Sequence, residues 1–335
     1  MRKTGGPPLT TWVCLLLAGG ATWSCWGHAS AEGPFSSSTQ APVPEAVVPF
    51  EYFRGHIYLR PNLEGAGPRT FLLDTGFITE ERMVLISPSA ADGLRDRHGA
   101  PLDIEVLGRD TLHGKKAHDV NVWLTENMVV HSAAEVLDLS PLQTALHHPL
   151  DGIIGYAFLR DHVAEINYAD HTLVLYAKGH YRYRGHGFQL PMDKDRPVVH
   201  ARVVLPDGKE APSQLLVDTG SDSVFLFYRH FIDRYTRSLT GANLQQTTYV
   251  GLGGRYTCDV VRLIKVQLGN DLAGDSLVID RPYVGLARMN AGVSAKSRLD
   301  GDLGDRVLEN SNVIFDPSRR RLIFEPVRLK DAMKN

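Results

Sequence analysis

The tripeptide Asp-Thr-Gly occurs twice in this chain, at residues 74–76 and 218–220, and a wider pattern repeats around both copies. An apolar run typical of a buried strand precedes each copy, so each aspartate stands where a strand ends and a turn begins. The flanking elements recur in the same order: Val48-Pro49 and Leu190-Pro191 upstream, DGIIG (151–155) and DGDLG (300–304) downstream, then the hairpin patterns EINYADHTLVLY and VIFDPSRRRLIFE. This repetition indicates two homologous halves, each placing one carboxylate at the edge of its core.

Length and composition permit two such domains and limit the classes of partner. The chain has 335 residues, of which 43% are hydrophobic and 22% charged, which is enough apolar material for two cores. Its formal net charge of −2 provides no general attraction for nucleic acid. We therefore expect no nucleic-acid partner, and we interpret the short basic run at 319–321 as a solvated hairpin turn.

The first 31 residues have the pattern of an export signal. Arg2 and Lys3 precede the apolar segment WVCLLLAGGA, and Ala29-Ser30-Ala31 forms a small-residue cleavage site. The apolar segment is too short to span a bilayer, so we expect no integral membrane span in the mature chain.

The cysteines and glycosylation sites indicate the type of export. Cleavage after Ala31 would leave Cys258 as the single cysteine, and the chain has no Asn-x-Ser/Thr site. Both features favour bacterial export, to the periplasm or the extracellular space, over eukaryotic secretion. Lipoprotein anchoring through Cys25 is an open alternative, although the residues before it fit the lipidation pattern poorly. Residues 32–47 form a Pro/Ser-rich tether.

Strand patterns dominate the rest of the chain, so the predicted fold class is mainly β. The segments VVHARVVLP (198–206), LIKVQLG (263–269) and NVIF (312–315) are rich in β-branched residues and bounded by turn formers. Helical patterns are short, and the clearest lies at 227–239. The predicted organisation is a first lobe at 48–177, an inter-lobe connector at 178–189, a second lobe at 190–327 and a tail at 328–335.

This ordered pattern resembles the aspartic proteases, and most closely the exported bacterial retropepsin-like proteins, here duplicated within one chain. The resemblance covers about residues 48–327 and rests on the D-T-G motifs, the apolar-Gly elements and the final hairpins of both halves. It implies a bilobal acid-protease fold of two homologous β-barrel-like lobes with few short helices. In that family the apolar-Gly element supports the catalytic loop. Residues 153–155 match it in the first half and residues 302–304 in the second, where Asp302 replaces the usual aliphatic residue.

By the same resemblance, Asp74 and Asp218 form the catalytic dyad of an endopeptidase acting on proteins or peptides. Two carboxyl groups within a few ångströms cannot both ionise cheaply, so one keeps its proton and the pair titrates as a unit. In the aspartic-protease mechanism the ionised partner takes a proton from the attacking water, while the protonated partner stabilises the oxyanion. The reaction uses no metal or other cofactor. Because both aspartates belong to one chain, dimerisation is not required to build the site.

The remaining motif residues have supporting roles implied by the resemblance. Gly76 and Gly220 lack a Cβ, so the backbone can turn sharply and direct N–H groups towards the carboxylates. The hydroxyls of Thr75 and Thr219 are expected to hydrogen-bond across the lobe interface. Ser221 is expected to hydrogen-bond the aspartate of its own motif.

The first motif departs from this pattern at Phe77, where the family has a small residue. Asp74 would then lack the hydroxyl donor that we expect Ser221 to provide for Asp218. Loss of a donor disfavours the charged form of a carboxyl group. The sequence therefore predicts that Asp74 more often carries the shared proton and that Asp218 more often acts as the base.

A substrate-covering flap is predicted in at least one half. The best candidate is VGLGGRYT (250–257), because Gly251, Gly253 and Gly254 would let a hairpin tip bend over the cleft. The matching segment of the first half is 106–114. Phosphate binding is disfavoured, since a tyrosine replaces the third glycine of G-x-G-x-x-G and a strand pattern follows it.

Other chemistries lack their characteristic motifs. The histidines include no H-E-x-x-H or paired Cys/His spacing, and no G-x-S-x-G is present, so we expect no metal site and no serine nucleophile. Cys258, beside apolar Val260 and Val261, is expected to pack as a buried thiol. The alternative to an endopeptidase is a catalytically weak or inactive peptide-binding protein of the same fold, because Phe77 and Asp302 depart from the family pattern.

Overall fold

The computed structural model describes residues 42–78, 84–94, 101–107, 111–183, 187–193, 195–240, 244–270 and 275–326. The predicted export signal, Cys25 and the tail lie outside these residues, as does most of the tether. No helix within the described ranges is long and apolar enough to cross a bilayer.

Strands make up most of the described structure. In chain order, β1 to β24 are Ala46–Phe53, His56–Leu59, Asn62–Leu63, Gly67–Pro68, Phe71–Asp74, Val84–Ile86, Pro101–Glu105, Thr111–Thr125, Met128–Val136, Gly152–Gly155, Val163–Asn167, Thr172–Tyr176, Phe188–Pro191, Val198–Val204, Glu210–Asp218, Phe225–Tyr228, Gln245–Gly251, Gly254–Arg262, Lys265–Asn270, Asp275–Asp280, Tyr283–Ala287, Gly301–Gly304, Ser311–Asp316 and Arg321–Pro326. The helices α1 to α6 are Ser140–Leu146, Tyr156–Leu159, Arg229–Arg234, Thr236–Thr240, Gly292–Lys296 and Asp305–Leu308, and a 3₁₀ turn covers Ala90–Gly93.

The two halves repeat one strand arrangement around each D-T-G motif. In the first lobe β5 pairs in parallel with β10, and β10 pairs antiparallel with β6. In the second lobe β15 pairs in parallel with β22, and β22 pairs antiparallel with β16. The strand that ends in the aspartate and the strand of the apolar-Gly element are therefore direct neighbours in both lobes.

A shared sheet joins the lobes. The order β13-β24-β23-β11-β12-β1 brings together the final hairpins of both halves, and β11 pairs antiparallel with β23 at its centre. This sheet continues from β1 through β2 and β5 into the first lobe. Its central residues are fully buried apolar side chains from both halves, such as Ile166 and Val313, so one continuous core holds the lobes together.

The mainly-β bilobal class is confirmed, whereas closed barrels are not found. A barrel closes when its first and last strands pair. Among the described strands, β13 and β4 are the ends of one sheet, from which β7 branches at β8, and β17 and β20 are the ends of the other. Both sheets are therefore open rather than closed into barrels.

Element boundaries differ from the sequence patterns in several places. Strand β1 begins at Ala46 and β13 at Phe188, each two residues before the expected start of its lobe. The alternating burial of β1 shows why it starts early, since Ala46, Val48 and Phe50 all face the core. Helix α1 was not predicted, because its seven residues contain only one buried side chain.

Candidate active site

The structure places the two aspartates at equivalent strand ends. Asp74 is the last residue of β5 and lies beside Gly155 of β10, while Asp218 is the last residue of β15 and lies beside Gly304 of β22. Gly155 and Gly304 have no Cβ, so the loop that follows each aspartate can pass very close to the strand of the apolar-Gly element. A Cβ on Gly155 would lie 2.4 Å from the carbonyl oxygen of Phe77. Each apolar-Gly element thus contacts the loop that follows its aspartate.

Thr75 and Thr219 connect the two loops directly. The Thr75 hydroxyl donates to the carbonyl of Val217 (2.7 Å), and the Thr219 hydroxyl donates to the carbonyl of Leu73 (2.8 Å). Each hydroxyl also accepts from the backbone N–H of the other threonine, at 3.0 and 3.1 Å. Both side chains are fully buried. Four reciprocal hydrogen bonds therefore set the distance between the motifs.

Replacement of Thr75 by valine should reduce the free energy of unfolding by roughly 2–4 kcal/mol, because it leaves a buried carbonyl and a buried N–H without partners. Thr75→Ser keeps the hydroxyl and loses only a methyl group, which costs about 1 kcal/mol. Urea unfolding curves of both variants measure the difference. Equal losses would show that the two hydrogen bonds of Thr75 contribute no more to stability than its methyl group.

Gly76 and Gly220 bring each loop against the opposite aspartate. A Cβ added to Gly76 would lie 2.4 Å from Cγ of Asp218, and one added to Gly220 would lie 2.4 Å from Cγ of Asp74. Real Cβ atoms do not approach other heavy atoms this closely, so no side chain fits at either position. The glycines are needed here for close approach rather than for an unusual backbone angle.

The two carboxyl groups lie face to face and share a hydrogen bond. Burial raises the pKa of both, and the pKa of Asp218 is raised further by the negative charges of Asp74 and Asp302. The charge of Asp302 therefore favours a shared proton on Asp218.

Backbone donors point to the same assignment. Asp74 accepts from the N–H of Phe77 (2.9 Å) and is also hydrogen-bonded by the N–H of Gly76. Asp218 accepts from the N–H of Gly220 (2.8 Å). Although Phe77 has no hydroxyl, its N–H supplies a hydrogen bond to the carboxylate, which favours ionised Asp74.

Ser221 does not have the expected partner. Its hydroxyl lies 2.9 Å from Ser223 Oγ and 3.3 Å from Asp302 Oδ1, instead of contacting Asp218. The prediction of a Ser221–Asp218 hydrogen bond was wrong, because a third carboxyl group next to the loop competes for the hydroxyl. The predicted assignment of the proton to Asp74 depended on that bond, and the contacts now favour the opposite assignment.

Phe77 packs where the second lobe has Ser221. Its ring lies against an apolar cluster of the first lobe that includes Tyr58, Leu72 and Ile153. Its carbonyl accepts from the N–H of Tyr156 (3.1 Å), which joins the D-T-G loop to the apolar-Gly element. Phe77 is therefore a packing residue of the first lobe.

The candidate flap is a hairpin made by β17 and β18. Gly251 pairs with Gly254, so residues 252 and 253 form its tip, and Gly254 has a φ of +96° that favours glycine. Leu252 and Val250 pack against the apolar cluster of the first lobe. The hairpin thus leaves the second lobe and contacts the first. The matching segment of the first half has residues 108–110 outside the described ranges.

His56 is a residue near the site that the sequence patterns did not identify. It follows Gly55 at the tip of the β1–β2 hairpin, is 6% exposed, and its Nδ1 lies 3.0 Å from the carbonyl oxygen of Arg54. Burial lowers its pKa, while the charges of Asp222 and Asp74 act in the opposite direction. Only the folding of this hairpin against the second lobe brings the ring near the dyad, so no local signal could have found it.

Two other sequence expectations concern cysteine and metal. Cys258 is buried among Leu226, Tyr228 and Ala287, and burial raises the pKa of its thiol to about 12. Such a thiol remains protonated and is a poor nucleophile. Within the described ranges, no group of three or more His, Cys, Asp or Glu side chains is arranged to hold a metal ion.

Comparisons of the chain with models of known protein families and with curated proteins gave no match.

Proposed function

We propose that this chain is an aspartic endopeptidase that hydrolyses peptide bonds of proteins or peptides. The observation that carries the proposal is the hydrogen-bonded pair of Asp74 and Asp218, held by the reciprocal Thr75–Thr219 contacts at the junction of the lobes. Two carboxyl groups that share one proton combine a general base and a general acid within one site.

In the proposed reaction, ionised Asp74 takes a proton from a water molecule as the water oxygen attacks the scissile carbonyl carbon. Protonated Asp218 donates a hydrogen bond to the oxyanion that develops. Collapse of the tetrahedral intermediate breaks the C–N bond, and the leaving amine receives a proton from the dyad. The products are a carboxylic acid and an amine, and no covalent enzyme intermediate forms.

The β17–β18 hairpin is proposed to cover a bound peptide. It contains the three predicted flap glycines, and Tyr249 and Tyr256 stack on it with ring centroids 5.9 Å apart. Tyr256 lies close enough to Asp302 and Asp222 for their charges to raise its pKa. An extended peptide between this hairpin and the dyad would be shielded from water during the reaction. Opening of the contact between Leu252 and the first lobe would admit the substrate.

The export pattern of the sequence supports a site of action outside the cytoplasm. We propose a periplasmic or extracellular bacterial enzyme, with one chain sufficient to build the site. Lipoprotein anchoring through Cys25 is the alternative location.

The proposal is tested by incubating the purified chain, without its export signal, with a denatured protein at pH values from 3 to 9. We expect new amino termini, and we expect a statine-type inhibitor to block their formation because its hydroxyl group replaces the attacking water. Absence of cleavage at every pH, together with saturable peptide binding, would instead support the peptide-binding alternative. Cleavage that resists the inhibitor but yields to a chelator would reject the dyad mechanism.

A further inference from the structure

Asp302 shares one face of the second-lobe sheet with Asp218. The parallel register pairs Leu216 with Asp302 and Asp218 with Gly304, two residues further along each strand. Since alternate residues of a strand point to the same face, the side chains of Asp302 and Asp218 lie on one face of adjacent strands. Asp302 is 2% exposed. A third carboxyl group is therefore buried next to the dyad, on the side of the second lobe only.

Three hydroxyl groups hold this carboxyl group. Tyr228 donates to Oδ2 at 3.0 Å, and the hydroxyls of Ser223 and Ser221 lie 3.3 Å from Oδ1. Hydroxyl donors stabilise a carboxylate more than a neutral carboxylic acid. The surroundings of Asp302 can therefore accommodate a negative charge in spite of its burial.

The first lobe has an apolar pair at the equivalent positions. Ile153 pairs with Leu72 as Asp302 pairs with Leu216, and Phe77 follows the first D-T-G motif as Ser221 follows the second. Ile153 is fully buried in the cluster against which Phe77 packs. The two departures from the family pattern are thus parts of one asymmetry, with an apolar environment behind Asp74 and a charged one behind Asp218.

Two tyrosines and a cysteine of the second lobe interact with Asp302, and all three are acids. Tyr228 approaches it from β16, and Tyr256 and Cys258 approach it from β18, where the charge of Asp302 raises the pKa of both. Burial keeps the phenols and the thiol neutral across the physiological range. The groups around the dyad that change charge between pH 3 and pH 9 are then the carboxyl groups and, on the Asp74 side, His56, whose pKa is lowered by burial.

We propose that Asp302 is a positioning residue for the dyad: its carboxylate keeps the shared proton on Asp218 and preserves the singly protonated dyad into neutral and weakly alkaline solution. This inference rests on the proposed function, because its consequence is the upper pH limit of peptide hydrolysis.

The order of ionisation follows from the contacts. Asp74 loses its proton first, because two backbone N–H groups donate to it and one donates to Asp218. The pKa of Asp302 is raised by burial to about 7, so its charge appears near neutrality. That charge raises the pKa of Asp218 and delays the loss of the second dyad proton, which would end activity.

The test compares kcat/KM as a function of pH for the wild type and Asp302→Asn, which removes the charge and keeps the size of the side chain. We expect the alkaline limb to move to lower pH by about one unit, as expected for removal of a nearby like charge, and the acid limb to stay in place. An unchanged alkaline limb would overturn the proposal. A lower kcat/KM by the same factor at all pH values would also overturn it, since a purely structural role has that effect.

A second variant removes the dependence on one substitution. Tyr228→Phe deletes a donor and leaves the charge, so the pKa of Asp302 rises and the carboxylate forms at higher pH. We expect the alkaline limb to move in the same direction by a smaller amount. A shift to higher pH would contradict the proposal.

A substrate-free measurement separates this inference from the proposed function. In protein labelled with ¹³C at aspartate carboxyl groups, the Asp218 resonance is assigned by its loss in Asp218→Asn, and its titration is followed in the Asp302→Asn variant. A lower titration midpoint of Asp218 without any peptide cleavage would reject the endopeptidase and retain the role of Asp302. An unchanged midpoint would reject the role of Asp302 whether or not cleavage occurs.

Discussion

Replacement of Asp74 or Asp218 by asparagine is expected to lower kcat/KM for peptide cleavage by about 1,000-fold or more. Loss of a positioned general base or acid costs about 100- to 10,000-fold, and loss of an oxyanion donor costs a similar factor. In Asp74→Asn the new amide would be unable to take a proton from water. In Asp218→Asn the amide would retain an N–H donor but would have no proton to transfer to the leaving amine. Both substitutions preserve side-chain size within the glycine-lined contact between the loops.

Substrate binding should respond differently from turnover in these variants. The contacts predict a large fall in kcat with a small change in KM, because the dyad acts on the reacting atoms rather than on the peptide as a whole. Initial rates with a fluorogenic peptide measure both constants. Asp195→Asn, which changes an exposed aspartate outside the site, is the matched control and should behave as the wild type. Full activity in either dyad variant would exclude the proposed mechanism.

The free energy of unfolding is expected to fall as the pH rises from about 4 to above 8, with Asp305 responsible for a large part of the change. This residue begins α6 and is fully buried. It accepts a hydrogen bond from Tyr168 of the first lobe, and the neighbouring Tyr52 hydroxyl, also of the first lobe, donates to Glu309 at 2.6 Å. A second-lobe carboxyl group is thereby enclosed by first-lobe tyrosines at the interface.

The direction follows from the pKa of Asp305, which burial raises from 3.8 to about 8. Between those pH values the folded protein binds a proton that the unfolded chain has released. The contribution of Asp305 to the free energy of unfolding is therefore fully present below about pH 4 and is lost as the pH rises through the folded-state pKa. A shift of this size corresponds to roughly 6 kcal/mol, at about 1.4 kcal/mol for each pH unit.

Urea unfolding at pH 4.5 and 8.5 measures this effect. Wild-type protein should be less stable at pH 8.5 than at pH 4.5. Asp305→Asn should lose less stability between the two pH values, because asparagine never ionises. The two proteins should be close in stability at pH 4.5, where Asp305 is protonated. Asp195→Asn again serves as the control. A wild type that is more stable at pH 8.5 would contradict the assignment of a protonated carboxyl group at this interface.

Local patterns were sufficient for much of the fold. The alternating and apolar runs before each D-T-G motif predicted strands that end in Asp74 and Asp218, and the structure has them as β5 and β15. The segments at 198–206, 263–269 and 312–315 also contain strands. The helical pattern at 227–239 was less accurate, because the segment is divided into α3 and α4, with β16 covering its first residues.

The site was only partly predictable. The facing positions of Thr75 and Thr219 agree with the expectation of contacts across the lobe interface, since both follow an aspartate at equivalent places of a repeat. The partner of Ser221 was not predictable, because Asp302 lies 81 residues away along the chain and meets the serine only through the pairing of β15 with β22. The contact of Leu252 with the apolar cluster of the first lobe was not predictable either, because it joins residues that are far apart in the chain.

The sequence by itself determined that the chain has two similar halves, that each half ends a buried strand with an aspartate, and that the second motif carries a serine where the first carries a phenylalanine. These properties depend on residues close together in the chain, whose periodicity and turn preferences act locally. The tertiary structure decided how the carboxyl groups share their environment: which backbone N–H groups point at Asp74, which charge lies behind Asp218, and which tyrosines enclose Asp305. The free energy of a buried charge depends on every dipole and charge packed around it, and strand pairing brings those groups together from distant parts of the chain.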